Sequence, residues 1–241
     1  MAGKTYIGTS GWSYPHWRGV FYPKKLRSDA WFNHYATFFG TVELNNTFYQ
    51  LPATTTFRHW HREAPRNFVF AVKGSRFITH MKRLQESRGA LHRFLRRVSI
   101  LKEKLGPILF QLPPRFRCNP KRLADFADLL PVGHRYAFEF RDSTWFVPEV
   151  YDILKKRDLG FCIFSLKDLP CPGVITAPYV YLRFHGPGAK YAGRYSEAEL
   201  KMWAGRIRGW RRGGLDVYSY FNNDEHGYAV ANAMHLVELV G

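Results

Sequence analysis

Charged and amide side chains close one apolar run after another in this chain. Glu43 and Asn45 end TVELNNT, Lys73 ends FVFAVK, Gln111 lies in PILFQL, Glu139 and Arg141 bracket the end of RYAFEF, and Arg183 and His185 close YVYLRFH. Carboxylates and imidazoles exchange protons near neutral pH once burial and neighbouring charges move their pKa values, so Glu43, Glu139 and His185 are the candidate catalytic groups. Lysine and arginine hold phosphate, and Lys73, Arg141 and Arg183 are candidate anchors for a phosphate-bearing substrate. His80 follows Lys73 and Arg76 closely enough to join them. Gly186 in the HGPG loop and the turn Asn222-Asn223-Asp224 would complete a phosphate cradle. The loop GTSGWSYPHWRGVFYP carries Trp12, Tyr14 and Trp17, rings that could stack a base or sugar face or pack as a lid. Two bland alternatives stand beside these readings: salt bridges across a structural rim, and ordinary strand termini. Glu43, Glu139, His185 and Asp224 leave a divalent metal possible, but no HExxH, EF-hand or CxxC pattern is present and no cofactor is expected.

Positioning these groups together requires elements that end side by side. Eight short β-rich runs, at 4–10, 41–47, 68–73, 107–112, 135–140, 160–164, 179–185 and 216–222, alternate with helical segments. Helices are predicted around 28–38, 54–64, 86–104, 120–130, 148–157, 196–212 and 225–239, with Asn119-Pro120 and Ser196 as starts. Between strands six and seven, Pro170, Pro172, Gly173 and Pro178 argue for an irregular loop. This rhythm, unbroken by linker or repeat over residues 1–241, predicts an α/β fold: one domain forming a single (β/α)8 TIM-type barrel, with an open doubly wound sheet as the alternative. In a barrel the strand C-termini form the mouth, so period two would turn the polar groups inward and Leu44, Phe138, Phe140, Leu182 and Phe184 toward the helices.

Composition narrows the class. The 241 residues include 36 Lys+Arg against 19 Asp+Glu, a formal charge of +17, yet 46% are hydrophobic, which excludes a disordered polycation. Such a charge favours nucleic acid or phosphorylated partners at low salt, or is simply a solvated surface. The odd count of three cysteines, without CxxC spacing, argues against a disulfide framework or disulfide-linked partner. No secretory h-region and no apolar run of membrane length is present, so a cytoplasmic location without membrane contact is expected.

Several motifs together carry a specific resemblance: GTSGWSYPHWRGVFYP, VELNNTFYQLP, FAVKGSRFITH, KLGPILFQLPPRF, AFEFRDSTWF, YLRFHGP followed by RYSEAEL, and YSYFNNDEHGYAVANA. In this order, from about residue 5 to the C-terminus, they resemble the YecE-like family, domain of unknown function 72. The resemblance implies a TIM barrel, loosely grouped with sugar isomerases and endonuclease-IV-like barrels, whose biochemistry is not settled. Its characteristic polar positions fall on Glu43, Asn45, Lys73, His80, Gln111, Glu139, Arg141, His185, Asn222, Asn223 and Asp224. One departure is Ser165, at about the place where relatives carry an aspartate near the end of strand six; Asp168 is the nearby substitute. Three functions follow as expectations: a nuclease-like enzyme hydrolysing a phosphodiester, a sugar isomerase or epimerase, and a non-enzymatic nucleic-acid binder using the aromatic loop.

Overall fold

Each apolar run becomes a strand: β1 (Thr5–Thr9), β2 (Thr41–Leu44), β3 (Val69–Lys73), β4 (Leu105–Gln111), β5 (Tyr136–Glu139), β6 (Gly160–Ser165), β7 (Tyr179–Phe184) and β8 (Asp216–Phe221). These come from a computed structural model that describes residues 2–188 and 191–241. All neighbouring pairs are parallel, in the order β1-β8-β7-β6-β5-β4-β3-β2, which is the TIM-type arrangement. The barrel is nearly closed. At the seam between β1 and β2 the Tyr35 hydroxyl accepts from the Thr9 amide at 3.0 Å and donates to the Thr41 carbonyl at 3.0 Å, replacing ladder bonds. Gly8 is required there, because a Cβ would lie 2.4 Å from the Thr41 carbonyl oxygen.

Strand parity sorts the side chains into two cores. Leu44, Phe138, Phe140, Leu182 and Phe184 join the outer core under the helices, while Ala71, Leu109, Ala137, Cys162, Tyr179, Tyr181, Tyr218 and Tyr220 fill the barrel. Small residues on β3 and β5 leave room for the tyrosines of β7 and β8, so the lower barrel is packed and the polar ends sit above it.

The outer layer consists of α1 (Trp31–Phe38), α2 (Asn46–Tyr49), α3 (Thr54–Glu63), α4 (Arg88–Val98), α5 (Pro120–Ala127), α6 (Pro148–Lys155), α7 (Glu197–Arg212) and α8 (Tyr228–Val240). Helix α4 buries Leu91, Phe94, Leu95 and Val98 at three- and four-residue spacing and leaves Arg88, Arg93 and Arg96 toward solvent, while the half-buried Arg97 donates to the Pro52 carbonyl. The Asn119 side chain accepts from the Arg122 amide ahead of Pro120, and Ser196 with Glu199 forms a capping box. Between β6 and β7 no helix forms; instead the Thr176 hydroxyl donates to the Leu159 carbonyl at 2.6 Å and accepts from the Phe161 amide at 2.7 Å. Two short elements escape the sequence periodicity, α2 and a π-helical turn at Phe77–Met81, and both stand at the C-terminal end of the sheet. Among the described residues, Cys118, Cys162 and Cys171 are free thiols and no helix is long and apolar enough to cross a membrane.

Candidate functional site

At the C-terminal end of the barrel the inward positions of β2, β5 and β7 deliver charge to one point. Arg183, 1% exposed, donates from Nη2 to Glu43 Oε1 and from Nη1 to Glu139 Oε2, each at 2.7 Å. Tyr181, two residues earlier on the same face of β7, donates to Glu43 Oε2 at 2.7 Å, and the Ser10 hydroxyl donates to Glu43 Oε1 at 2.7 Å. Glu139 Oε1 is taken by Arg141 Nε and lies 3.0 Å from His185 Nε2. Both carboxylates are fully buried, and every oxygen has a charged or hydroxyl partner. Burial alone would raise the Glu139 carboxyl, but Arg141 and Arg183 overcome it and hold the group well below the usual carboxylate range. Glu139 is therefore a fixed anion at neutral pH rather than a poised general acid.

His185 is neutral. Burial, with Arg141 and Arg183 nearby, pulls its pKa down to about 3 against the opposing pull of Glu139. Its Nε2 faces both Glu139 and the Arg141 Nη2 at 2.7 Å, and serves one at a time: as N–H it donates to the carboxylate, as a lone pair it accepts from the guanidinium. Asn222 reaches the other ring nitrogen at 3.4 Å.

Lys73 differs from its neighbours. It is 9% exposed, its ammonium lies 4.2 Å from the centroid of the Phe48 ring, and among the described residues it makes no hydrogen bond or ion pair. Burial and the Arg183 charge lower its pKa to about 7, with Glu139 and Glu43 pulling it back only in part. Helix α2 supplies the Phe48 floor, and the Thr47 hydroxyl fixes that helix by donating to the Lys73 carbonyl at 2.7 Å. The π-helical turn brings His80 edge-on to the same ring, 4.9 Å between centroids. Its pKa is lowered to about 4 by burial and by Lys73, Arg76 and Arg141.

Other mouth groups are less committed. Gln111 is paired in register with Glu139 and its amide makes only a 3.5 Å contact to the Leu112 carbonyl. The Asn45 side-chain oxygen is buried with no partner among the described residues. Arg141 lies over the Phe164 ring, 5.3 Å from its centroid.

Several residues expected at the site are engaged elsewhere. Trp12 packs against Phe32 and Trp60, and Trp17 is fully buried, so the loop at 8–23 is a packed cover rather than an open stacking surface. Asp224 holds that cover down by accepting from Trp17 Nε1 at 2.7 Å and pairing with His16 at 2.9 Å. Asn223 donates to the Gly193 carbonyl and to Asn232, and the Gly186 amide donates to the Tyr195 hydroxyl at 3.0 Å. The cradle's first amide is thus already used. Ser165 sits on the outward parity of β6 in register with Phe184, while Asp168 is exposed. Phe164, not Ser165, is the last inward residue of β6.

Among the described residues no three His, Cys, Asp or Glu side chains come together to hold a metal ion, and both buried carboxylates are saturated by Arg183, Arg141, Tyr181 and Ser10. Sequence reasoning missed Ser10, Tyr181, Phe48 and Phe164. Tyr181 could have been found from the period-two pattern that selected Arg183.

Comparison with known proteins places this chain in a family. The family described as "Protein of unknown function DUF72" matches residues 6–241. The UPF0759 protein YunF of Bacillus subtilis is 28% identical, over 98% of this chain and 94% of its own. A crystal structure of a DUF72 family protein from Thermotoga maritima superposes with a TM-score of 0.90 at 30% identity, covering 98% of this chain and 99% of the other. The D-psicose 3-epimerase of Clostridium cellulolyticum, solved with D-tagatose, has a TM-score of 0.61 at 11% identity and covers 98% of both chains, a likeness of fold alone.

Proposed function

Since this chain belongs to the DUF72 family, whose description assigns no activity, we propose from the mouth itself that it is an enzyme for a phosphate-bearing substrate, with Lys73 as its proton-transfer group. The observation that carries this reading is a buried amine at a strand end, unpaired among the described residues and within electrostatic reach of Arg183, Glu139, Glu43 and Arg141. An amine that titrates near neutrality can both give and take a proton at working pH, and when charged it attracts an anion. Hydrolysis of a phosphodiester with Glu139 as acid draws less support, because Arg141 and Arg183 hold that carboxyl ionised. Proton movement on a small phosphorylated carbohydrate draws more, since it needs one movable base and an anion site rather than a metal-activated water.

Sulfate, whose charge does not change near neutrality, is the direct probe of the anion site. Its affinity is expected to weaken by about tenfold between roughly pH 6 and 8.5 as Lys73 deprotonates. Arg183, Arg141, Glu43, Glu139 and His80 are the charged or titratable groups acting on or beside Lys73; His80 and His185, with pKa values of about 4 and 3, stay neutral across that window. Lys73→Met should bind weakly at every pH in calorimetric titration. An affinity independent of both pH and Lys73 would remove the lysine from the site.

A nucleic-acid substrate is a second reading, favoured by the rim. Tyr49 (78% exposed) on α2, and Phe77 (39%) and Met81 (68%) on the π-helical turn, are exposed apolar side chains of the two elements that carry Phe48 and His80, and Arg76 at the start of that turn is exposed as well. If single strands stack there, Tyr49→Ala lowers affinity for a fluorescent oligonucleotide by about tenfold, on top of a steep loss with salt. A steep salt dependence with a silent Tyr49→Ala would assign binding to the general +17 charge.

A further inference from the structure

We infer that Lys73 is a covalent catalytic residue, whose amine condenses with the carbonyl carbon of an aldehyde or ketone that carries a phosphate or carboxylate. This deepens the reading of the mouth as a substrate site and rests on it. The case comes from comparing the two buried lysines. Lys104, 6% exposed, donates to the His61 and Ala64 carbonyls at 2.6 Å each, so its amine is held by the protein's own backbone. Lys73 is nearly as buried but has only the face of Phe48 beside it, and the carboxylates that could pin its charge are spent on Arg183, Arg141, Tyr181 and Ser10. An amine left without acceptors keeps its lone pair available, and the Phe48 face beside it offers no group that would compete with the carbonyl carbon. Arg141, only 8% exposed and lying over Phe164, is engaged through Nε with Glu139 and through Nη2 with His185, and its Nη1, without a partner among the described residues, is the donor left to take the anion of a charged carbonyl compound.

The step balances without a further reagent. The neutral amine forms a C–N bond to the carbonyl carbon, the carbonyl electron pair moves to oxygen, and that oxygen takes a proton from the nitrogen to give a carbinolamine. Its C–O bond then breaks, the hydroxyl leaves as water with a proton drawn from solvent, and a protonated C=N bond remains. That cation withdraws electrons from the adjacent carbon and acidifies its C–H bond, the chemistry a proton-moving enzyme needs without a metal. Addition of water reverses the sequence and frees the lysine.

Trapping tests this directly. Wild-type protein is incubated near pH 7.5 with glyoxylate in one arm and dihydroxyacetone phosphate in the other, each reduced with cyanoborohydride and mapped by trypsin and mass spectrometry. A reduced adduct blocks cleavage after Lys73 and yields the joined peptide 67–76. The expected result is at least tenfold more label at Lys73 than at Lys104 or the average exposed lysine, protection by sulfate, and loss of that peptide label in Lys73→Met. The arm that labels faster distinguishes a phosphate from a carboxylate anchor. Label spread over surface lysines with normal cleavage after Lys73 would overturn the covalent role, while sulfate binding that still depends on Lys73 would leave the anion site standing. Absence of both would overturn the two together.

Discussion

Replacing Arg183 by methionine is expected to destabilise the protein by about 3–5 kcal/mol, the cost of removing one partner from a buried ion pair. The guanidinium is fully enclosed and joins two carboxylates that come from different strands, with Glu43 lying 140 positions away in sequence. Its loss does not affect them equally. Glu139 keeps Arg141 and His185, whereas Glu43 retains only the hydroxyls of Tyr181 and Ser10. Glu43→Gln in the Arg183→Met background should therefore recover part of the loss, and a double-mutant cycle by urea unfolding should give a coupling above about 1 kcal/mol. A single variant within about 0.5 kcal/mol of wild type would mean that the network is not held by Arg183. Acidification should expose the same network. The unfolded chain protonates its histidine near pH 6.5, but His185 resists until about 3, and Glu139 is held below its ordinary range, so stability falls as pH drops from about 6.5 and falls further below the carboxylate range.

The positions of the strands and the inward parity of their ends were legible because both follow from local pattern. Tyr181, Arg183 and His185 share one face of β7 by alternation, and the adjacent register of Gln111 with Glu139 follows from parallel pairing. Partner choice was not legible. Nothing local to Glu139 says that it takes Arg141 and Arg183 while Glu43 takes Arg183 alone with two hydroxyls, since those contacts are made by barrel closure. Nor could composition separate the rings that cover from the rings that could bind. Trp17 belongs to a motif rich in glycine and proline that reads as a binding loop, yet it is buried and tied to Asp224. The niche around Lys73 was invisible for a different reason: α2 and the π-helical turn are too short to produce a hydrophobic period.

Lys73→Met is expected to make the protein more stable at pH 6 and to flatten its stability profile above neutrality. Methionine fills a similar volume against Phe48 without a charge to bury, and its introduction leaves no carboxylate unpaired, because Glu43 and Glu139 are already satisfied by other groups. In the wild type the lysine pKa falls from 10.5 to about 7 on folding. Between those values the unfolded chain binds a proton that the native chain does not, so wild-type stability rises with pH across that window. The integrated effect is on the order of 5 kcal/mol, a penalty present in full below pH 7 and mostly relieved by pH 10. Urea midpoints of the two proteins should therefore differ most at pH 6 and converge by about pH 10. A constant difference would mean that Lys73 is protonated normally in the native state, and would weaken both its proton-transfer and its covalent role. A residue placed for packing alone would be the methionine. Retaining an amine where it costs stability and finds no partner in the protein is understandable if its partner is the substrate.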